Sequence, residues 1–272
     1  MIDRSMCCFS GISAEAERKL WRAGCLSWDG VAAAERVVSP GKANTMRMEL
    51  PFLRAALEGG VADYFLRRLP VGYRMRLLPD FVTGTGFLDV ETTGLGRQDQ
   101  LTVIGVWRNG VLRQYVQGHD IADFLREWRR IEVLVTYNGL RFDWPMLARQ
   151  LGLACMPPHI DLMVEARVHG AVGGLKDVER MLGISRTDDE VGNGAEAVRL
   201  WYAYRQAGDC ASLAKLLRYN ARDVMSLVAL SVWLWRRSMD TYSGPMPSLP
   251  MELTNEYARS LKSESLHIPP TG

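Results

Sequence analysis

The middle of the chain carries short apolar runs bounded by polar turns, which is the pattern of β-strands. A first strand is predicted to begin at Phe87, a second spans Leu101–Trp107 and a third spans Val111–Val116. Asn109 and Gly110 lie between the last two, and an Asn-Gly pair between apolar runs is a strong local signal for a tight hairpin. The pattern therefore predicts three successive antiparallel strands.

After the hairpin, apolar residues recur at the three- and four-residue spacing of α-helices. Helices are predicted at 120–130, with Asp120 as the N-cap, and from about Asp143. Further helices are predicted at 175–182, 195–207 and 210–237. Strands are predicted at 132–137 and at about 160–162. The polar, acidic stretch 185–194 is predicted as a mobile loop. This order fits an α/β fold with a mixed β-sheet flanked by helices, which is the order of a ribonuclease-H-like fold.

The two ends of the chain differ from this central domain, which is predicted to span residues 81–238. Residues 1–80 carry mixed helical patterns and are expected to form a helical N-terminal extension. Residues 239–272 contain five prolines and little apolar periodicity, so a flexible tail is predicted. Four arginines precede the first strand: Arg67, Arg68, Arg74 and Arg76. Such a cluster is most often a solvated face, although beside an acidic site it would suit a phosphate backbone.

The composition is that of a globular protein and changes this picture little. The 272 residues are 47% hydrophobic and 24% charged, and the formal net charge of +2 permits a nucleic-acid partner without arguing for one. The five cysteines are scattered and form no C-x-x-C pair, so neither a zinc site nor a disulfide framework is expected. The first residues lack the layout of a signal peptide, and no apolar segment has membrane-spanning length. We therefore expect a cytoplasmic protein with no membrane partner.

Two carboxylates, Asp89 and Glu91, interrupt the apolar run of the first strand. Residues two apart on a strand face the same side, so both side chains project together. Two anions on one face of a buried strand need a neutralising partner, for which a divalent metal ion is a candidate, and a solvated strand edge is the alternative. Thr92, Thr93 and Gly94 then end the strand in a polar turn whose backbone N–H groups are free to meet an anion.

Further acids lie where the fold alone does not require them. Asp143 begins a predicted helix, where an ordinary N-cap is the alternative reading. Asp223 lies inside a long apolar helix and needs a partner, and Tyr219 lies one turn earlier on the same face. Asp161 follows the short strand near 160 and is interpreted as an indirect or capping group rather than a metal ligand.

Four carboxylates converging on one spot would suit hard divalent cations. The predicted ligands are Asp89, Glu91, Asp143 and Asp223. Two ions about 3.5–4 Å apart can activate a water molecule and stabilise the leaving oxygen of a phosphodiester. In this hypothesis, the hydroxyl group of Tyr219 orients the attacking water.

Four motifs carry a resemblance to a known family: F-L-D-V-E-T-T-G-L, V-L-V-T-Y-N-G-L-R-F-D, H-I-D-L and Y-N-A-R-D. Their order and spacing resemble the DEDD superfamily of 3′–5′ exonucleases, in its tyrosine-containing branch, because Tyr219 stands where that branch has tyrosine. They are also similar to the exonuclease domains of family-B DNA polymerases. The greatest likeness, over about residues 81–235, is to stand-alone bacterial YprB-type ribonuclease-H-like proteins, which are predicted exonucleases.

The resemblance implies a nuclease that removes nucleotides from the 3′ end of single-stranded DNA or RNA with two Mg²⁺ or Mn²⁺ ions. It also implies substrate contacts, predicted at Thr92, Leu95, Asn138 and Phe142. For Leu95 and Phe142, and for Trp144 as a base-stacking residue, packing in the core is the alternative. Two other functions stay open, which are a structure-specific endonuclease on the same core and a nucleic-acid-binding module without catalysis.

Overall fold

A mixed β-sheet forms the centre of the computed structural model, which describes residues 1–94, 96, 98–184 and 194–260. Its five strands are β1 (Thr85–Thr92), β2 (Leu101–Arg108), β3 (Val111–Val116), β4 (Val133–Thr136) and β5 (His159–Asp161). The order across the sheet is β3-β2-β1-β4-β5. β1, β2 and β3 are antiparallel neighbours, whereas β4 runs parallel to β1 and β5 parallel to β4. The predicted mixed sheet with three successive antiparallel strands is confirmed.

Helices flank the sheet and account for most of the remaining described residues. The α-helices are α1 (Ala14–Arg22), α2 (Pro40–Glu58), α3 (Ala62–Leu66), α4 (Leu78–Phe81), α5 (Phe124–Trp128), α6 (Asp143–Leu151), α7 (Leu162–Val168), α8 (Leu175–Leu182), α9 (Gly194–Ala207), α10 (Cys210–Met239) and α11 (Met251–Ser260). Short 3-10 helices span Ile2–Arg4, Met6–Cys8, Trp28–Arg36, Arg74–Leu77, Val82–Gly84 and Ile121–Asp123. The longest helix, α10, has 30 residues and begins where the Asp209 carboxylate accepts hydrogen bonds from the N–H groups of Ala211 and Ser212.

The turn between β2 and β3 explains why the hairpin could be predicted. Asn109 and Gly110 have φ angles of 50° and 76°. A two-residue hairpin of the type I′ class requires positive φ at both positions, and asparagine followed by glycine tolerates this best.

Successive side chains of β1 enter two different apolar layers. Phe87 belongs to the core beneath α10, whereas Leu88 belongs to a second core that contains Phe124 and Leu147. Because strand side chains alternate between faces, residues 89 and 91 lie on the α10 side. The strand periodicity thereby determines which helix meets the two carboxylates.

The N-terminal region is helical, as predicted, but it packs into the main core. Leu20 and Phe65 lie in one apolar cluster with Leu227 and Trp235 of α10. A buried ion pair reinforces this contact, because Arg76 donates to Glu17 at 2.7 Å and, through its Nε, to the backbone carbonyl of Ser238 at 3.1 Å. Residues 1–80 therefore build one wall of the domain.

The arginine cluster before β1 does not form a solvated basic face. Arg76 is only 2% exposed, and Arg74 pairs with the wholly buried Glu165 at 3.4 Å. Arg67 pairs with Asp63 at 2.6 Å, and the guanidinium of Arg68 lies 4.0 Å from the centre of the Tyr64 ring. Burial of Glu17 and Glu165 explains the positions of Arg76 and Arg74, since each buried acid needs a cationic partner, whereas Arg67 stays exposed.

Two other details differ from the sequence-based expectation. Asp120 caps no helix with its side chain, because its carboxylate accepts the N–H of Val116 at 2.7 Å and α5 begins only at Phe124. Part of the predicted flexible tail, 251–260, is helix α11, whose Leu253 is fully buried. Leu95, 185–193 and 261–272 lie outside the described residues. In the ranges that the structure describes, no helix combines the length and the hydrophobicity needed to cross a membrane.

Candidate active site

β1 and α10 together bring three acids close to one another. Asp89 and Glu91 project from β1 toward α10, and Asp223 projects from the N-terminal half of that helix. One carboxylate oxygen from each lies within 4.8 Å of the others. Such a spacing allows one cation to touch all three groups.

The electrostatics of this cluster favour a cation. The pKa values of Asp89 and Glu91 are raised well above their usual ranges, mainly because burial disfavours the charged form and further because Asp223 repels them. Glu91 and Asp223 are each 8% exposed. The Oε1 atom of Glu91 is buried, with no hydrogen-bond partner among the described residues. An unpartnered buried oxygen beside two further carboxylates fits a hard divalent cation that takes oxygen ligands.

Asp143 lies in the same cavity but outside the group of three. It is the first residue of α6, and its Oδ1 accepts the N–H of Val90 at 3.2 Å, so it is not an ordinary N-cap. A cavity of about 310 Å³ is lined by Asp143 together with Asp89, Glu91 and Asp223. Burial raises the pKa of Asp143 to about 7. Its part in holding a metal ion stays a prediction.

Tyr219 and a lysine that the sequence had not indicated complete the wall of this cavity. Tyr219 lies one turn before Asp223 on α10 and lines the cavity. The Lys176 Nζ atom lies 4.7 Å from the centre of the Tyr219 ring, and its positive charge lowers the pKa of Glu91, against the larger effects that raise it. Lys176 stands in the first turn of α8, where the helix dipole disfavours a cation. This unfavourable position is a feature of the sequence that could have pointed to a role for Lys176.

The predicted substrate-contacting residues are divided between two cavities. Phe142 and Asn138 line the smaller one, while Thr92 and Phe142 line a larger cavity of about 640 Å³ next to Glu91. Ala195 and Val198 of α9 give this larger cavity apolar walls. The Thr92 hydroxyl donates to the Gly94 carbonyl at 2.6 Å, so it shapes the turn after β1.

Asp161 supports the loop that carries Asn138. Its Oδ1 accepts the N–H of Asn138 at 2.8 Å and that of Met163, at the start of α7, at 3.0 Å. Asn138 has a φ of 60°, a conformation that non-glycine residues rarely adopt, and this hydrogen bond helps to hold it. These hydrogen bonds make Asp161 the N-cap of α7, which is the capping alternative of the prediction.

Trp144 packs against another side chain of the domain. Its ring stacks on that of Trp128, with 6.0 Å between ring centres and 12° between ring planes. Both belong to the apolar core behind the sheet, where Trp144 is partly buried. Core packing therefore accounts for Trp144 in this structure.

The fold and the acidic site together define the class of protein. A family model of the RNase H superfamily matches residues 86–235, more than half of the chain. The chain belongs to the RNase H superfamily, which is a superfamily of nucleases.

Individual known proteins are similar over part of their length. The chain is 27% identical over 184 residues to the uncharacterized protein YprB of Bacillus subtilis (strain 168), which covers 58% of this chain and 44% of YprB. It therefore spans less than half the length of that relative. A solved family B DNA polymerase from the hyperthermophilic archaeon Pyrobaculum calidifontis is similar with a TM-score of 0.40 and 19% identity, over 59% of this chain and 27% of the polymerase. The family match and the similarity to YprB confirm the predicted fold and family resemblance.

Proposed function

We propose that this chain is a divalent-metal-dependent exonuclease that degrades single-stranded DNA or RNA from the 3′ end. The observation that carries the proposal is the group of three carboxylates within 4.8 Å of one another, on a fold of the RNase H superfamily. The order of the acidic motifs along the chain supports the 3′–5′ direction, through their resemblance to tyrosine-branch exonucleases.

The residues of the site have distinct roles in this proposal. Asp89, Glu91 and Asp223 would hold one Mg²⁺ or Mn²⁺ ion, and Asp143 would contribute to a second. Bound ions of this kind supply Lewis-acid stabilisation of the phosphodiester and lower the pKa of a water molecule. Tyr219 lines the smaller cavity together with these acids, and its hydroxyl group would orient the water for attack.

The larger cavity next to Glu91 is the proposed seat of the terminal nucleotide. Its walls are mostly apolar, and Phe142 is one of the residues that line it. Aromatic rings hold single-stranded bases by stacking without reading their sequence. This proposal therefore predicts activity on strands of varied sequence, with an unpaired 3′ end as the common requirement.

The test uses the full chain with 5′-labelled single strands of DNA and RNA and Mn²⁺. The wild type should shorten at least one of them stepwise, and Asp89→Asn should abolish shortening because it removes one of the three ligands. Asp240→Asn is the matched control, since Asp240 lies on the surface and pairs with Arg237. Absence of shortening on every strand would refute the proposal. Cleavage of a circular strand would identify an endonuclease, and binding without cleavage would identify a binding module.

A further inference from the structure

A row of three residues crosses the sheet beneath α10 and leaves a gap at its centre. Asp89 of β1 pairs with Gly105 of β2, which in turn pairs with Gln114 of β3. Directly paired residues of neighbouring strands face the same side of a sheet, so all three face α10. Because glycine has no side chain, the row has an open place between the carboxylate and the amide.

The side chain of Asn220 from α10 fills this open place. Asn220 is fully buried. A Cβ atom built on Gly105 would lie 2.2 Å from the Oδ1 atom of Asn220 and 2.8 Å from Val224. These distances are too short for two non-bonded atoms, so the position of Asn220 requires glycine at residue 105.

Hydrogen bonds through Asn220 connect the two ends of the row. The Nδ2 atom of Asn220 donates to Oδ2 of Asp89 at 3.0 Å and to the backbone carbonyl of Asp89 at 3.3 Å. The Nε2 atom of Gln114 donates to Oδ1 of Asn220 at 3.0 Å and to the carbonyl of Leu217 at 2.7 Å.

The donor and acceptor of each bond can be assigned from the carbonyl group of Leu217. A backbone carbonyl only accepts, so the amide nitrogen of Gln114 must face Leu217. That nitrogen also faces Asn220, which therefore presents its oxygen to Gln114 and its nitrogen to Asp89. Gln114 thereby determines that Asp89 receives a hydrogen-bond donor.

We propose that Gln114 and Asn220 are positioning residues that orient the Asp89 carboxylate for the metal ion. Asp89 faces repulsion from Asp223, Glu91 and Asp143, which favours rotation of its carboxylate away from the cluster. A donor fixed on Oδ2 opposes that rotation and stabilises the charged form. This inference rests on the proposed function, because it needs a metal ion at Asp89.

Two substitutions at Gln114 distinguish the effect of hydrogen-bond direction from the effect of side-chain packing. Gln114→Glu keeps the shape, but a carboxylate cannot donate to Leu217 or to Asn220. The Asn220 amide then gains by reversing, which turns its oxygen toward Asp89 and repels the carboxylate. Gln114→Met has a similar length and removes the hydrogen bonds without a force that reverses Asn220. We call the hydrogen-bonded series Gln114, Asn220 and Asp89 the relay. If the relay orients Asp89, Gln114→Glu should weaken metal binding more than Gln114→Met does.

Mn²⁺ binding measured by calorimetry on the full chain, at about pH 8, tests the relay without relying on activity. Gln114→Glu should weaken the Kd at least about tenfold, within the range typical of residues that orient metal ligands. Gln114→Met should weaken it by less. Gln117→Glu is the matched control, because it places the same charge on the partly exposed residue just after β3, and it should bind as the wild type does.

The possible outcomes distinguish this inference from the proposed function. Wild-type binding that Asp89→Asn abolishes, together with an unchanged Kd in Gln114→Glu, would overturn the relay and leave the metal site standing. A wild type that binds no Mn²⁺ would overturn both. Thermal unfolding without metal shows whether each variant is folded. If Gln114→Glu does not fold, the Kd of Gln114→Met tests the relay instead. A lower Tm of Gln114→Met with a wild-type Kd would show a purely structural role and overturn the relay.

Discussion

Replacing the carboxyl group of Asp143 by an amide, in the variant Asp143→Asn, removes a buried acid with little change in size. The amide oxygen can still accept the N–H of Val90, which the carboxylate accepts at 3.2 Å. The variant therefore changes the charge of the site while leaving its packing in place. We expect it to be more stable than the wild type when no metal is present.

The size of this effect follows from the shift in pKa. Burial raises the pKa of Asp143 from its ordinary value of 3.8 to about 7. The folded state therefore binds the proton more tightly than the unfolded state, so this group favours folding at low pH. That contribution is lost as the pH rises from about 4 to about 7. The variant should be about 4 kcal/mol more stable at about pH 8, and only about 2 kcal/mol more stable at about pH 5.

Urea-induced unfolding with a chelator, at both pH values, measures this difference. Asp240→Asn serves as the control, because it removes an acid from the surface, and it should differ little from the wild type at either pH. Addition of Mn²⁺ should narrow or reverse the advantage of Asp143→Asn, since the ion stabilises the charged cluster of the wild type. An equal stability at about pH 8, or an advantage that does not shrink at about pH 5, would refute this reasoning.

Two further substitutions test the orientation of the attacking water and the buried ion pair between Arg76 and Glu17. Tyr219→Phe should lower the rate of strand cleavage at least about tenfold while Mn²⁺ binding stays unchanged, because it removes only the hydroxyl group that is proposed to orient the attacking water. Single-turnover cleavage and calorimetry measure the two quantities, and an unchanged rate would contradict the assigned role. Arg76→Leu should lower the free energy of unfolding by about 3–5 kcal/mol, because it leaves the Glu17 carboxylate buried and unpaired. Urea unfolding measures this loss. Arg47→Leu, at an exposed arginine, should lower the free energy of unfolding by less than about 1 kcal/mol. Equal losses in the two variants would contradict the argument.

The parts of the fold that could be predicted are those that local periodicity determines. The period of a strand places Asp89 and Glu91 on one face, and the period of a helix places Tyr219 and Asp223 on one face. The hairpin was predictable because Asn109 and Gly110 tolerate the required backbone angles. Each of these inferences uses residues that are close together in the sequence.

The parts that could not be predicted depend on contacts between distant residues. Arg76 meets Glu17 across 59 positions, and nothing near Arg76 distinguishes it from the surface residue Arg67. Gln114 and Asn220 lie 106 positions apart, and their contact depends on the register of three strands. Periodicity assigns a residue to a face of the sheet but does not identify the residue beside it in the next strand.

The single helix α10 also determines how much of the chain can fold alone. The family match ends at residue 235, whereas the carbonyl that Arg76 holds belongs to Ser238. A fragment limited to the matched region would lose the N-terminal wall and expose Leu227 and Trp235 to water. Apolar patches of that kind promote aggregation. We therefore expect the smallest autonomous folding unit to be larger than the matched region, so that removal of residues 1–80 would destabilise the proposed site without removing any of its residues.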